Sequence, residues 1–311
     1  MGPVFNVVLP VFGIILAGYL SGRFGLLGKE ETGALNKFVY YITLPALLFL
    51  AMARVKPDRI FDWHFIGAYA GAMTATFIIA YVLIRLFHPD RRLGERGLFG
   101  MAAIYGNTGY MGIPLTLIAF GPEGTVPAIV ATVINTAVII GAIGAMIEVD
   151  LSVGESRGAV ARDVVMGLLR NPLFTAPLAG IAVSLLGLEV PGPFATFLDI
   201  VGKAAGPCAL FAIGLFMVGQ PIGDGKGEVA IMVGLKLLIQ PVIAWALATY
   251  VFEMDPLWTK VAILMSALPA GAGLFVVAQK FNVYVHRATS AILVSTVISV
   301  LTLSIVFSYF D

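Results

Sequence analysis

Ten runs of mostly apolar residues follow one another through this chain, and they set its fold class before any motif is read. A helix crossing the hydrocarbon core needs about 20 such residues. The runs fall at roughly 3–22, 34–54, 64–87, 96–120, 124–148, 169–187, 194–219, 228–252, 257–281 and 286–309. What remains is short loops, none long enough to fold as a separate domain. Of the 311 residues, 59% are hydrophobic and 12% charged, against about 25% charged in ordinary globular chains. The expected architecture is therefore an all-α integral membrane protein of ten transmembrane helices in one transport domain. The first run begins at Pro3 with no basic segment before it and no small-residue cleavage site after it, so it reads as a retained helix.

Charge and reactive residues narrow the function. A net charge of +1 argues against nucleic acid as a partner. Cys208 is the single cysteine, and His64, His88 and His286 are scattered, so no metal site is expected. No nucleotide-binding or zinc-protease motif occurs, and no run carries a central Asp, Glu or His. An enzyme is not expected. Placing the N-terminus outside assigns 14 Lys/Arg to inner segments and 5 to outer ones, and an inner excess of positive charge sets orientation. The expected location is the cell membrane, multi-pass, with both termini extracytoplasmic.

Five runs precede a polar stretch at 150–168 and five follow it. An odd number per half inverts the second half, the plan of many secondary transporters. Repeat one would be 1–149, the linker 150–168 and repeat two 169–311. An ordered echo supports this. Leu44-Pro45-Ala46-Leu47-Leu48-Phe49 in run 2 matches Gly206-Pro207-Cys208-Ala209-Leu210-Phe211 in run 7, with prolines 162 residues apart. Gly112-Ile113-Pro114 in run 4 matches Ala267-Leu268-Pro269 in run 9, with prolines 155 apart.

Runs 4 and 9 are also the two most interrupted. Run 4 contains Gly106-Asn107-Thr108-Gly109-Tyr110-Met111-Gly112-Ile113-Pro114, and run 9 contains Ser266-Ala267-Leu268-Pro269-Ala270-Gly271-Ala272-Gly273. Proline removes a backbone donor and glycine disfavours helix, so both helices should break near the bilayer midplane. Freed backbone groups at that depth must face protein or a water-filled cavity. Half-helix N-termini offer unpaired N–H groups and partial positive charge to an anion. A pair of kinks serving only close helix packing is the competing reading. Two breaks in corresponding halves favour a binding site.

The chain resembles the auxin efflux carrier family, which includes the PIN-type plant carriers and many prokaryotic proteins. The likeness runs along the whole chain. It is sharpest at Asn107-Thr108-x-x-Met111-Gly112-Ile113-Pro114, at Gly214-Leu215-Phe216-Met217-x-x-Gln220-Pro221, and at Ala267-Leu268-Pro269-x-Gly271 with Phe275-Val276-x-Ala278. The resemblance implies two inverted five-helix repeats, helices 4 and 9 broken and crossing at Pro114 and Pro269, and elevator-type alternating access between a scaffold and a transport domain. It places Asn107 in the substrate site. Departures bear on the substrate and not on the fold. Leu48 stands where plant carriers have serine, Tyr69 and Met73 where they have aspartate and lysine, and Asn135 where they have glutamine.

The expected function is secondary transport of a small organic anion, a carboxylate such as an auxin-like acid or a dicarboxylate. The substrate-binding candidates are Asn107, Thr108, Gly109, Asn135, Gly271 and Gly273. Lys236, some eight residues inside run 8, either reaches back to the interface or lines the anion path. Sodium-coupled symport is the alternative within transport, with Asn107, Thr108 and Ser266 as candidate Na⁺ ligands; no other cofactor is expected. A sensor or channel is the reading from another class. The partners expected are the bilayer and the anion, with a homodimer left open.

Overall fold

The computed structural model describes residues 4–56, 62–138, 157–220 and 225–310, together with Gly141, Ile143, Met146, Ile147, Asp150 and Gly223. Twelve helices are named here: α1 (Asn6–Arg23), α2 (Lys29–Ala53), α3 (Trp63–Phe87), α4 (Leu93–Ile104), α5 (Thr108–Val138), α6 (Arg157–Leu169), α7 (Pro172–Leu185), α8 (Gly192–Met217), α9 (Lys226–Val251), α10 (Pro256–Ser266), α11 (Gly273–Phe281) and α12 (Val285–Phe310).

Among the described residues, seven of these helices (α1, α2, α3, α5, α8, α9 and α12) are long and apolar enough to cross a membrane. The protein is an all-helical, multi-pass membrane protein. The other expected runs fall on shorter pieces. Run 6 is the 14-residue α7. Run 4 is divided between α4 and the start of α5, and run 9 between α10 and α11. Gly121, at φ 68°, turns the chain inside α5, so that element holds the end of run 4 and the start of run 5. Of the expected linker 150–168, residues 151–156 lie outside the described residues, and Arg157–Leu169 is helical.

Four wide i→i+5 turns interrupt the helices just ahead of prolines. Val4–Val8 precedes Pro10, Val39–Thr43 precedes Pro45, Thr108–Gly112 precedes Pro114, and Leu235–Ile239 precedes Pro241. Proline has no N–H and its ring collides with the carbonyl four residues back. Widening the turn that carries this carbonyl removes the collision without ending the helix.

Packing follows the small residues. Gly18 of α1 lies against the Phe211 carbonyl of α8, and Gly214 of α8 against the Ile15 carbonyl of α1. Gly180 of α7 lies against the Phe49 carbonyl of α2. A methyl group at any of the three would strike backbone, and such close approach is how helices associate where lipid removes the hydrophobic drive. One core cluster joins α1, α2, α5, α8, α10 and the end of α12, including Val8, Leu48, Ile113, Leu210, Leu264 and Phe307. A second joins α4 and α11 to parts of α3, α9 and α12, including Ile84, Phe99, Met232, Leu274 and Ile292. Along α12, Val297, Leu301 and Ile305 share one exposed face suited to lipid, while Ser295, Ser299 and Leu303 are buried.

At the end of the molecule that carries the α9 N-terminus, Glu228 is 5% exposed. It accepts from Arg91 Nη2 at 2.9 Å and pairs with Arg287 Nε at 3.2 Å. The Tyr284 hydroxyl also donates to it. Burial, with the Glu228 carboxylate beside it, pushes the Tyr284 phenol above its ordinary range and keeps it a donor. This cluster ties the turn before α4, the start of α9 and the start of α12 together.

Candidate functional site at the crossing of two broken helices

The α4–α5 and α10–α11 breaks meet. Gly106 and Ala270 form an isolated antiparallel bridge. Asn107 N–H donates to the Pro269 carbonyl at 2.8 Å, and Gly271 N–H donates to the Tyr105 carbonyl at 3.0 Å. Each break thus satisfies backbone groups of the other, as burial of irregular chain requires.

Side chains from α5, α9 and α12 complete the satisfaction. Asn135 Nδ2 donates to the Gly106 carbonyl at 2.9 Å and to Thr108 Oγ1 at 3.3 Å. Ser295 Oγ accepts from the Ala270 N–H at 3.0 Å. Gln240 Nε2 donates to the Ile104 carbonyl, the last of α4, at 3.3 Å. Lys236 Nζ donates to the Ser266 carbonyl, the last of α10, at 2.6 Å and to Gln240 Oε1 at 2.7 Å. Lys236 and Gln240 are both fully buried. The two helix C-termini at the crossing, where partial negative charge gathers, are therefore capped by α9.

The N-termini are treated differently. The first intrahelical acceptor of α5 is the Asn107 carbonyl, which takes the Met111 N–H at 3.1 Å and the Gly112 N–H at 3.0 Å. The amides of Thr108, Gly109 and Tyr110 precede these and have no intrahelical acceptor. Asn107 is 6% exposed, and among the described residues its side-chain amide has no hydrogen bond to protein. The α11 N-terminus at Gly273 is partly open, with the Tyr105 ring lying over Gly271 and Gly273. A Cβ on Gly271 would stand 2.7 Å from the Tyr105 ring and 3.0 Å from the Gly106 carbonyl, so only glycine lets the strands approach this closely.

The structure brings Asn107, Thr108, Asn135 and Gly271 together at the bridge, with Gly109 and Gly273 in the adjoining first turns. Pro269 lies in the break itself. Pro114 does not: it sits seven residues beyond Asn107, inside α5, where the wide turn absorbs its strain. The bridging pair is Gly106 and Ala270, with Pro269 beside it through the Asn107 N–H, and Pro114 lies away from it. Lys236 does not reach the interface; the Ser266 carbonyl and Gln240 Oε1 hold it at the crossing. Leaving Lys236 out of the inner-side count reduces 14 to 13, against 5. Tyr105 and Ser295 were not singled out by the sequence. The one signal for Gln240 is its place four residues after Lys236, on the same helix face.

A cleft of about 910 Å³ opens separately, between α2, α5, α8 and the start of α10. Its wall carries Arg54, Lys56, Glu123, Asp199, Lys203 and Asp255, with Pro114 and Gly206 among the apolar lining. Of the expected site residues only Pro114 lines it. Asp199 and Lys203 neutralise each other at 2.6 Å, in the open.

Asn135→Ala should remove the donor that the buried Gly106 carbonyl needs, at a cost of about 1–3 kcal/mol. The ligand-free protein should melt several degrees lower in a detergent thermal scan. An unchanged melting temperature would show that the carbonyl has another partner.

Two interrupted helices meeting inside a multi-pass membrane protein fit a carrier, and sequence comparison gives that class. A profile of the membrane transport protein family matches residues 3–307. The chain belongs to this family, the auxin efflux carriers whose motifs it shares. A Rhizobium meliloti protein provisionally named a malonate transporter is 31% identical over 98% of this chain and 95% of its own length. The lysosomal cholesterol signaling protein of Mus musculus is 27% identical over 95% of this chain and 36% of its own length. Auxin efflux carrier component 8 of Arabidopsis thaliana is 23% identical over 96% of this chain and 95% of its own length.

Proposed function

We propose that this transporter carries a small organic anion, a dicarboxylate of malonate size, bound at the first turn of α5 beside the crossing. One observation carries the reading, the asymmetry of the four helix ends. The C-termini of α4 and α10 are capped by Gln240 and Lys236, whereas the α5 N-terminus keeps amides without an intrahelical acceptor and the Asn107 side chain. Amide donors and a positive helix end suit a carboxylate. The name of the Rhizobium relative supports the substrate size.

The movement proposed is elevator-like, with α1, α2, α7 and α8 as scaffold and the two broken helices moving with α3, α9 and α12. The glycine contacts of α1 with α8 and of α2 with α7 support that grouping. They pair the first helix of each half with the second helix of the other, as an inverted repeat would. The Gly106–Ala270 bridge fits the same symmetry, because its offset of 164 is close to the 162 between Pro45 and Pro207. The cleft past Arg54 and Lys56 would be the outer approach.

Counterflow of radiolabelled malonate and related acids in proteoliposomes tests this function. Saturable, acid-selective counterflow is expected; single-channel currents, or no acid exchanged, would overturn it. The orientation is tested by cysteines placed at Phe5 and Phe310 in a Cys208→Ser background. Both should react with impermeant reagent from outside the cell, and labelling only from the cytoplasmic side would reverse the topology.

A further inference from the structure

The first turn of α5 is walled on one side by leucines from two other helices. A methyl group built on Gly109 would stand 3.5 Å from Leu173 Cδ1 and 4.0 Å from Leu44 Cδ1. Both are ordinary contact distances, so the gap beside this turn is one carbon wide. Leu44 and Leu173 are buried in the same core cluster, and local structure fixes each of them. Leu44 follows the wide turn Val39–Thr43 and precedes Pro45. The Leu173 N–H donates to Asn171 Oδ1 at 2.9 Å, the cap that starts α7. The α5 turn is tied to α2 as well, because the Tyr110 hydroxyl donates to the Asn36 carbonyl at 3.3 Å. Leucine methyl groups offer a carboxylate no hydrogen bond and keep out the water that would. With one carboxylate on the turn's amides, only apolar carbon can enter the gap. A second carboxylate has to stay with polar groups such as the Asn107 side chain.

We infer that Leu44 and Leu173 are specificity-determining residues that limit the substrate to an acid with a single carbon between its carboxylates. Malonate has one such methylene, succinate two and glutarate three. Each added methylene needs room that the leucines occupy. The inference rests on the anion site proposed above at the α5 N-terminus, and it names the residues that set chain length there.

Isothermal titration of the purified protein with malonate, succinate and glutarate reads the preference. Wild type should bind malonate about ten- to a hundred-fold tighter than succinate, the usual effect of one methylene in an apolar pocket. Leu173→Ala widens the gap and should bring succinate to within about threefold of malonate. Gly109→Ala acts in the opposite direction, filling the gap with the one methyl group that it admits. This variant keeps the amides, and its ligand-free melting temperature should match wild type, but its malonate affinity should fall by about tenfold or more. Succinate bound by wild type as tightly as malonate would overturn the inference. So would an unchanged preference in Leu173→Ala, or full malonate affinity in Gly109→Ala. Should Leu173→Ala not fold, Gly109→Ala decides alone: lost affinity upholds the inference and retained affinity overturns it. If Asn107→Ala loses malonate while the chain-length preference ignores Leu173, the anion site stands and this inference alone falls. Wild type that binds none of the three acids would end both.

Discussion

Asn107→Ala is expected to weaken malonate binding by ten- to a hundred-fold while the ligand-free protein melts as wild type does. Its side-chain amide makes no hydrogen bond to protein among the described residues, so its removal breaks none of theirs. Its backbone N–H and carbonyl, which hold the Pro269 carbonyl and start α5, survive in alanine. With substrate present, a lost buried hydrogen bond to a charged group costs roughly 1.5–3 kcal/mol, which is the quoted loss in affinity. Isothermal titration beside a thermal scan separates the two quantities. Asn107 would be structural if melting fell and affinity held. The contrast with Asn135, whose loss should lower stability first, makes the pair a sharper test than either residue alone.

Glu228→Gln should have the largest effect on stability, and it lies far along the fold from the crossing. The carboxylate is 5% exposed and faces two guanidinium groups and a phenol. Removing its charge leaves Arg91 with Glu95 alone, at 3.1 Å, and takes the carboxylate from Arg287, while both guanidinium groups still lie over the Tyr284 ring. Breaking a buried ion pair costs about 3–5 kcal/mol; with the arginines each 26% exposed, water offsets part of this and about 3 kcal/mol is expected. That corresponds to an apparent melting temperature lower by about 6–10 °C. Malonate affinity per folded molecule should be unchanged. A variant as stable as wild type would mean that Glu95 and solvent suffice to hold the arginines.

Hydropathy and the Gly/Pro clusters were enough to read a membrane fold with breaks in the fourth and ninth runs, because both depend on local composition. Where the breaks fall was less legible. Pro114 looks like the helix breaker, yet the wide turn at Thr108–Gly112 accommodates it, and the chain opens at Tyr105–Asn107 instead. Proline position alone does not say whether a helix will end or widen. Lys236 was harder still. A lone lysine inside an apolar run suggests reach to the interface, and only the carbonyl end of α10, 30 residues further on, makes burial affordable. Ser295 and Tyr105 act through contacts between distant segments, which no local pattern reports. Asn135 was legible as a hydrogen-bonder because an amide in the middle of an apolar run has few other uses.

The central claim is the place where the anion binds. A structure of the purified transporter determined with bound malonate tests it most directly. Carboxylate density should lie at the first turn of α5, within hydrogen-bond reach of the Thr108–Tyr110 amides and the Asn107 side chain, with Lys236 still on Ser266 and Gln240. Density confined to the cleft beneath Arg54 and Lys56, with the crossing empty, would contradict the account.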